Sequence, residues 1–163
     1  MDYLDLQRSL DPFFPAGVRR YWKALYLDGF SDAAVDLTVE WSNRRPSPDT
    51  LVIVRHCGGA MSRVGVEETA FGDRSSEWML SIDSSWHDAA EDAINAAYTR
   101  AFYDAALPHS DGKTYFNFPG LFEEGDAAVR ASYGANHARL ARIKAAYDPD
   151  NVFRLNQNIR PAA

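Results

Sequence analysis

A chain of 163 residues that is 46% hydrophobic and 13% aromatic is globular rather than disordered, and one domain of this size buries about 70% of its unfolded surface. A net charge of −6 speaks against a nucleic-acid binder, which carries a basic patch. No run approaches the roughly 20 apolar residues of a membrane span, Met1-Asp2-Tyr3-Leu4-Asp5 lacks a signal-peptide profile, and the lone Cys57 excludes an internal disulfide and a multi-cysteine zinc site, so a soluble cytoplasmic protein is expected.

Residues 1–18 read as irregular or briefly helical, because Asp11-Pro12 and Phe14-Pro15-Ala16-Gly17 interrupt any continuation. The aromatic run Tyr21-Trp22-Lys23-Ala24-Leu25-Tyr26-Leu27 predicts a strand over 20–28, and its imperfect alternation fits burial on both faces. Ser31 suits the N-cap of a helix over 31–43, in which Ala34, Leu37, Thr38 and Trp41 form a stripe. Leu51-Val52-Ile53-Val54-Arg55-His56-Cys57 is the clearest strand; Gly58-Gly59 after it permits a tight turn, and a hairpin partner is expected over 61–66.

Alternation over 77–83 sets Trp78, Leu80 and Ile82 on one face and Met79, Ser81 and Asp83 on the other, the pattern of a half-buried strand. An Ala-rich helix follows over 88–106, with Ala90, Ile94, Ala97, Tyr98, Ala101, Phe102 and Ala105 as its apolar stripe. A short strand over 113–118 has Tyr115 and Asn117 on one face and Phe116 and Phe118 on the other. Helices over 123–133 and 136–147 come next, Pro149 stops the second, and a polar, amide-rich strand containing Asn156-Gln157-Asn158 ends the chain. Strands and helices alternate too little for a doubly wound parallel sheet. The order predicts an α+β fold, an antiparallel sheet with helices packed on one face. Several two-sided strands leave apolar edges open unless another segment supplies more strands.

Charge divides along the same chain. Residues 1–129 hold 11 basic and 21 acidic side chains, whereas Arg130, Arg139, Arg142, Lys144, Arg154 and Arg160 outnumber Asp148 and Asp150 in the tail. Two readings stay open: a solvated helix face whose cations complement the helix dipole, or a surface that docks on an acidic partner or beside a cofactor pyrophosphate.

Nucleotide-binding and hydrolase motifs of the P-loop, GxGxxG, GxSxG and HExxH types do not occur. Gly58-Gly59-Ala60 precedes no clear helix and reads as a turn rather than a phosphate cradle. The four histidines, His56, His87, His109 and His137, show no i, i+4 pair and no obvious carboxylate partner, which argues against a metal site. His56 and Cys57 are strand neighbours and point to opposite faces, so Cys57 reads as a core thiol rather than a nucleophile. Tyr115 stands out. Beside Asn117 it is either a general base, given a cation or flavin whose field favours the phenolate, or a buried tyrosine satisfied by a neighbouring amide.

Three motifs, in order and at fitting separations, resemble the berberine-bridge-enzyme family, flavin-dependent oxidases related to vanillyl-alcohol oxidase. Gly58-Gly59-Ala60 with Thr69-Ala70-Phe71-Gly72-Asp73-Arg74 is similar to the family's glycine turn and Thr/Ala-Phe-x-x-Arg segment. Tyr115-Phe116-Asn117-Phe118 is similar to its Tyr-x-Asn-Tyr strand, with Phe118 replacing the second tyrosine. Tyr133-Gly134-Ala135-Asn136 through Tyr147-Asp148-Pro149-Asp150-Asn151-Val152-Phe153 is similar to its C-terminal ending.

The resemblance implies the rear of an FAD-dependent oxidase that oxidises an alcohol or C–H centre of a sugar or secondary metabolite. Tyr115 would take the proton from a substrate hydroxyl while hydride passes to the flavin, with Asn117 beside it. Ser81, Met79 and Asp83 would line the substrate cavity, and Asn117, Asn156 and Gln157 would lie near the cofactor. Residues 1–122 would be part of the substrate domain, and 123–163 a segment packing on an FAD domain that this chain does not contain. The FAD-tethering histidine and cysteine would lie in that domain, so His56 and Cys57 are not they. The isolated chain is accordingly expected to bind no FAD. Its partners would be the FAD-binding domain or a separate chain supplying it, and a small-molecule substrate. A scaffold without flavin, or a homodimer that borrows strands, are the other readings.

Overall fold

The computed structural model describes residues 1–72, 74–113, 115, 117–118, 125–155 and 158–163, apart from the side chains of 126–128. Three antiparallel strands in the order β1-β3-β2 form the sheet: β1 Arg19–Leu27, β2 Leu51–His56 and β3 Trp78–Trp86. Residues that face each other across the ladder share a side of the sheet. The back is therefore built from Leu25, Leu27, Leu80, Ile82, Val52 and Val54, and the front from Trp22, Ala24, Tyr26, Met79, Ser81, Asp83, Leu51, Ile53 and Arg55.

Two helices cover the back. Helix α2 (Asp32–Asn43) starts where predicted, with the Ser31 hydroxyl accepting the Ala34 amide at 3.3 Å. Helix α3 (Asp92–Ala106) drives Tyr98, Phe102 and Ala106 into the core formed with Leu25, Leu27, Leu80 and Ile82. Trp41 stacks on Phe102 with ring centroids 5.4 Å apart, and its carbonyl accepts the Tyr98 hydroxyl at 2.8 Å. The α+β class, with an antiparallel sheet and helices on one face, is as predicted. The buried stripe of α3 is not. Ile94, Ala97 and Ala101 are exposed, whereas Asn95 and Thr99 are buried. The reason is a polar contact, since the Thr99 hydroxyl donates to Ser84 on β3 at 2.6 Å and turns that edge of the helix inward.

Four strand predictions are corrected. Residues 61–66 hold a single 3-10 turn, Met61–Arg63, and then a loop. Side chains keep this loop compact: Arg74 donates to the Met61 carbonyl (3.0 Å) and to the Thr69 hydroxyl (2.7 Å), and Glu68 accepts the Gly65 amide (2.9 Å). After α3 the backbone lies along the free edge of β1, with Asp28 N donating to His109 O (2.9 Å) and Tyr26 N to Lys113 O (3.0 Å). It then turns, and Phe118 N donates to Tyr115 O at 3.1 Å. Tyr115 and Phe118 therefore lie on the same side instead of alternating, with ring centroids 5.4 Å apart; Phe116 is outside the described residues. The described residues beyond Pro149 form no strand, and Asn156 and Gln157 fall outside them. Finally, β3 is not half-buried: Met79, Ser81 and Asp83 are as enclosed as Leu80 and Ile82. The loop after β2, through Cys57 and Met61, and the side chains of Tyr115 and Phe118 cover the front, a contact that local alternation does not encode.

Helices α4 (Gly125–Tyr133) and α5 (Asn136–Tyr147) clasp that loop. A Cβ on Gly72 would meet the Ser132 carbonyl oxygen at 2.1 Å, so the loop crosses the end of α4 only as glycine. The buried Asn136 amide donates to Val66 O (2.7 Å) and Thr69 O (3.2 Å), and Arg139 donates to Glu67 O (3.0 Å). Beyond α5, Asp148 accepts the amides of Val152 (2.7 Å) and Phe153 (3.0 Å) and pairs with Lys144. Asn151 takes the left-handed φ of 52° that this turn demands.

Two expectations follow from the clasp. Urea unfolding should show Asn136→Ala losing about 1–3 kcal/mol, because two hydrogen bonds of about 0.5–1.5 kcal/mol each are lost, and Gly72→Ala losing a similar amount, about 1–3 kcal/mol, by overpacking against backbone. The Lys144 ammonium, and after it the two tail amides, holds the Asp148 carboxyl below the ordinary carboxylate range. Its stabilisation is therefore present above the unfolded-state value, about 3.9, and is lost as pH falls through the lower folded-state value. Amide exchange of Val152 and Phe153 should accelerate in that acid window and should not in Asp148→Asn, where exchange is already fast at neutral pH.

Candidate functional site

The front of the sheet is where chemistry-bearing side chains meet. Its floor is arranged in rows across the strands: Tyr26, Met79 and Arg55, then Ala24, Ser81 and Ile53, then Trp22, Asp83 and Leu51. Ala24, Tyr26, Cys57 and Met79 form an apolar patch on which Tyr115 and Phe118 rest. Phe118 also meets Trp22 edge-on at 5.6 Å and lies beneath the Arg55 guanidinium, 5.6 Å from its centroid. Phe118 is thus a wedge of the floor, a packing role that needs no hydroxyl.

Beside the apolar patch is a polar network. The Ser81 hydroxyl donates to Asp83 Oδ1 at 2.6 Å and accepts from Arg55 Nη1 at 2.8 Å, and Arg55 Nη2 lies 3.9 Å from Asp83 Oδ2. The Asp83 side chain is 2% exposed and that of Arg55 36%. Burial pushes the Asp83 carboxyl above the ordinary carboxylate range, and Ser81 and Arg55 only partly offset this. Tyr115 is half-buried at the edge of the patch, and its hydroxyl oxygen accepts the Asn117 side-chain amide at 2.8 Å. The sequence pairing of these two residues holds, although a turn rather than a strand achieves it.

Met79, Ser81 and Asp83 do share the front face, but with different surroundings: Met79 packs under Tyr115 and Phe118, while Ser81 and Asp83 are tied up by Arg55. Cys57 is a buried thiol in the apolar patch, as read from the sequence. His56 points to the other side against Trp78 and pairs with Glu77 at 3.2 Å, and His87 pairs with Asp49 at 3.2 Å; carboxylate partners for these two histidines were not apparent along the chain. Among the described residues no group of three or more metal-ligating side chains occurs, and no helix is long and apolar enough to cross a membrane. Sequence reasoning missed Arg55. The available signal was a cation inside the apolar run Leu51-Val52-Ile53-Val54, in phase with Leu51 and Ile53.

The sheet is thus backed by two helices and carries a tyrosine–amide pair and an Arg–Ser–Asp network on its opposite face. Residues 114–160 match the family model described as "Berberine and berberine like". The FAD-linked oxidoreductase YvdP of Bacillus subtilis is 32% identical over 98% of this chain and 36% of its own length, and the berberine bridge enzyme-like 1 protein of Arabidopsis thaliana is 30% identical over 63% of this chain and 22% of its own. The solved berberine bridge enzyme of Eschscholzia californica superposes with a TM-score of 0.75 at 20% identity, covering 90% of this chain and 34% of that one. The chain is similar along nearly its whole length to FAD-linked oxidoreductases, matches the berberine-like family model over residues 114–160, and spans about a third of the length of the curated relatives it matches over most of its own.

The raised Asp83 carboxyl has a sign. A folded-state value above the unfolded one favours the folded chain at acid pH, and that advantage is lost as pH rises through the folded value. Asp83→Asn, which keeps an acceptor for Ser81 without the buried charge, should therefore raise Tm at neutral pH and flatten its decline as pH rises from the unfolded-state value, about 3.9, towards neutrality. Thermal scans across that range check it.

Proposed function

We propose that this chain is the substrate-binding portion of an FAD-linked oxidoreductase that oxidises an alcohol or C–H centre of a sugar or secondary metabolite, the FAD-binding domain lying outside it. The observation that carries this is the Tyr115–Asn117 pair at the border of the sheet's front face. An amide N–H orients the phenol oxygen, and in the phenolate form that the field of a bound flavin would favour, a free lone pair on it can take a substrate proton. Tyr115 is then the base that accepts the hydroxyl proton, Asn117 holds its oxygen, and Met79 and Phe118 exclude water from beneath it. Ser81 fixes the polar end of the wall.

The front face suits the flat ring of a flavin as a cover, since aromatic and apolar side chains line it. The described residues offer the dinucleotide's phosphates no cradle: a Cβ on Gly58 would strike the His56 ring, and one on Gly59 would meet nothing within 4 Å. Bound FAD would supply the hydride acceptor. Asn117, Asn156 and Gln157 are the residues we propose to meet it.

Exposed apolar surface supports a missing neighbour. Tyr147, Val152, Phe153 and Leu155 are 87%, 68%, 82% and 88% exposed, and they belong to the cationic C-terminal stretch. We assign that stretch, 123–163, to docking on the FAD domain, and 1–122 to the substrate domain. The edge of β2 away from β3 is unpaired among the described residues and is where further strands would join. A metabolite as substrate is in keeping with a relative named aclacinomycin-N/aclacinomycin-A oxidase, from Streptomyces galilaeus, 30% identical over 64% of this chain.

The test is to mix the purified chain with a segment carrying the FAD-binding domain and record the visible spectrum. Flavin absorbance is expected in the mixture and not in the chain alone; a yellow chain on its own would sink the proposal. In the active mixture Tyr115→Phe should lower kcat about 10²–10⁴-fold, and an unchanged kcat would remove Tyr115 as the base.

A further inference from the structure

We propose that Arg55 is the anchor for a carboxylate on the substrate, so that this face takes an acidic small molecule, such as an acidic sugar, in preference to its neutral counterpart. The inference rests on the reading above that substrate lies against the front of the sheet. A guanidinium carries five N–H donors in a rigid fork. Of these, one Nη1–H goes to the Ser81 hydroxyl at 2.8 Å. Asp83 Oδ2 is 3.9 Å from Nη2, close enough for attraction and too far for a hydrogen bond. The other donors have no acceptor among the described residues, while the side chain remains 36% exposed on the face that carries Tyr115.

The guanidinium is also held in place. Ser81 fixes one edge, the Phe118 ring supports one plane, and Asp83, 2% exposed, anchors Ser81 from below. A cation that only balanced Asp83 would close on it in a paired, fork-like geometry. Instead Asp83 bonds to the hydroxyl and leaves the fork open. The two cations of the front face are Arg20 and Arg55. Arg20 donates to the Pro15 carbonyl at 2.7 Å and lies about 6 Å from the Phe14 and Trp22 ring centroids, whereas Arg55 lies over the Phe118 ring that contacts Tyr115. Phe118 touches both Arg55 and Tyr115, so a carboxylate on Arg55 orients its molecule across the Phe118 ring toward the phenol. This local positive site sits in a region, 1–129, whose acidic side chains outnumber the basic ones 21 to 11, and a single built cation there is selective rather than part of a general basic surface.

The test uses the chain itself and no flavin. Glucuronate and glucose serve as acidic and neutral probes, and binding is read from chemical-shift changes at the Arg55 side chain and the Tyr115 ring. Glucuronate should shift both signals and glucose should bind at least tenfold more weakly. Arg55→Gln, with its fold checked by the amide spectrum, should weaken glucuronate at least tenfold. Asp83→Asn keeps Arg55 and removes the competing carboxylate, so it should tighten glucuronate several-fold. Equal responses to the two probes, an unchanged affinity in Arg55→Gln, or no tightening in Asp83→Asn would each overturn the proposal. Because none of these readouts needs a redox centre, the Arg55 site stands or falls separately from flavin binding by the mixture.

Discussion

The structure depends on β3 being buried on both faces. A central strand enclosed this way cannot alternate apolar and polar residues freely, because every side chain needs either an apolar neighbour or a hydrogen-bond partner. The back-facing set meets the need with Leu80 and Ile82 against Tyr98 and Phe102. On the front, Met79 packs in the apolar patch and Ser81 and Asp83 satisfy one another and Arg55. One strand thereby separates a conventional core from a wall with polar groups at fixed positions, and two packed helices make that wall rigid.

Most residues that mark the family are concerned with holding this wall. Gly72 lets the 57–76 loop pass against the end of α4, Arg74 ties the loop to itself, and Asn136 binds two of its carbonyls from the start of α5. Asp148 organises the Asp-Pro turn through two amides and Lys144. The glycine-loop motif and the C-terminal motif are thus two halves of one contact, which explains why they occur together. The Tyr115–Asn117 pair is the exception, since its hydrogen bond lies on the open side and supports nothing else described here.

The chain's surface points the same way. Tyr147, Val152, Phe153 and Leu155 of the tail are left more than two-thirds exposed. If the tail docks as proposed, the charge division suits it to a partner with acidic or phosphate groups.

Much of this was legible along the chain wherever the cause is local. The Ser31 cap, the three true strands, the boundaries of the two long helices and the Tyr115–Asn117 spacing follow from side chains within a few residues of one another, as do the turns that Pro149 and the glycines impose. What escaped depends on contacts between distant segments. The face that α3 buries was decided by Thr99 reaching Ser84, the loop at 61–66 by Arg74, and the same-side placement of Tyr115 and Phe118 by the patch beneath them. Arg55, Ser81 and Asp83 come together only because β2 pairs with β3 in one register, with Leu51 opposite Asp83 and Arg55 opposite Met79. Sequence alone determined the three strands of the sheet, the long helices and the Tyr115–Asn117 pairing. Tertiary structure alone decided which side chains of distant segments meet, because register and packing are set by the whole sheet and not by any segment of it.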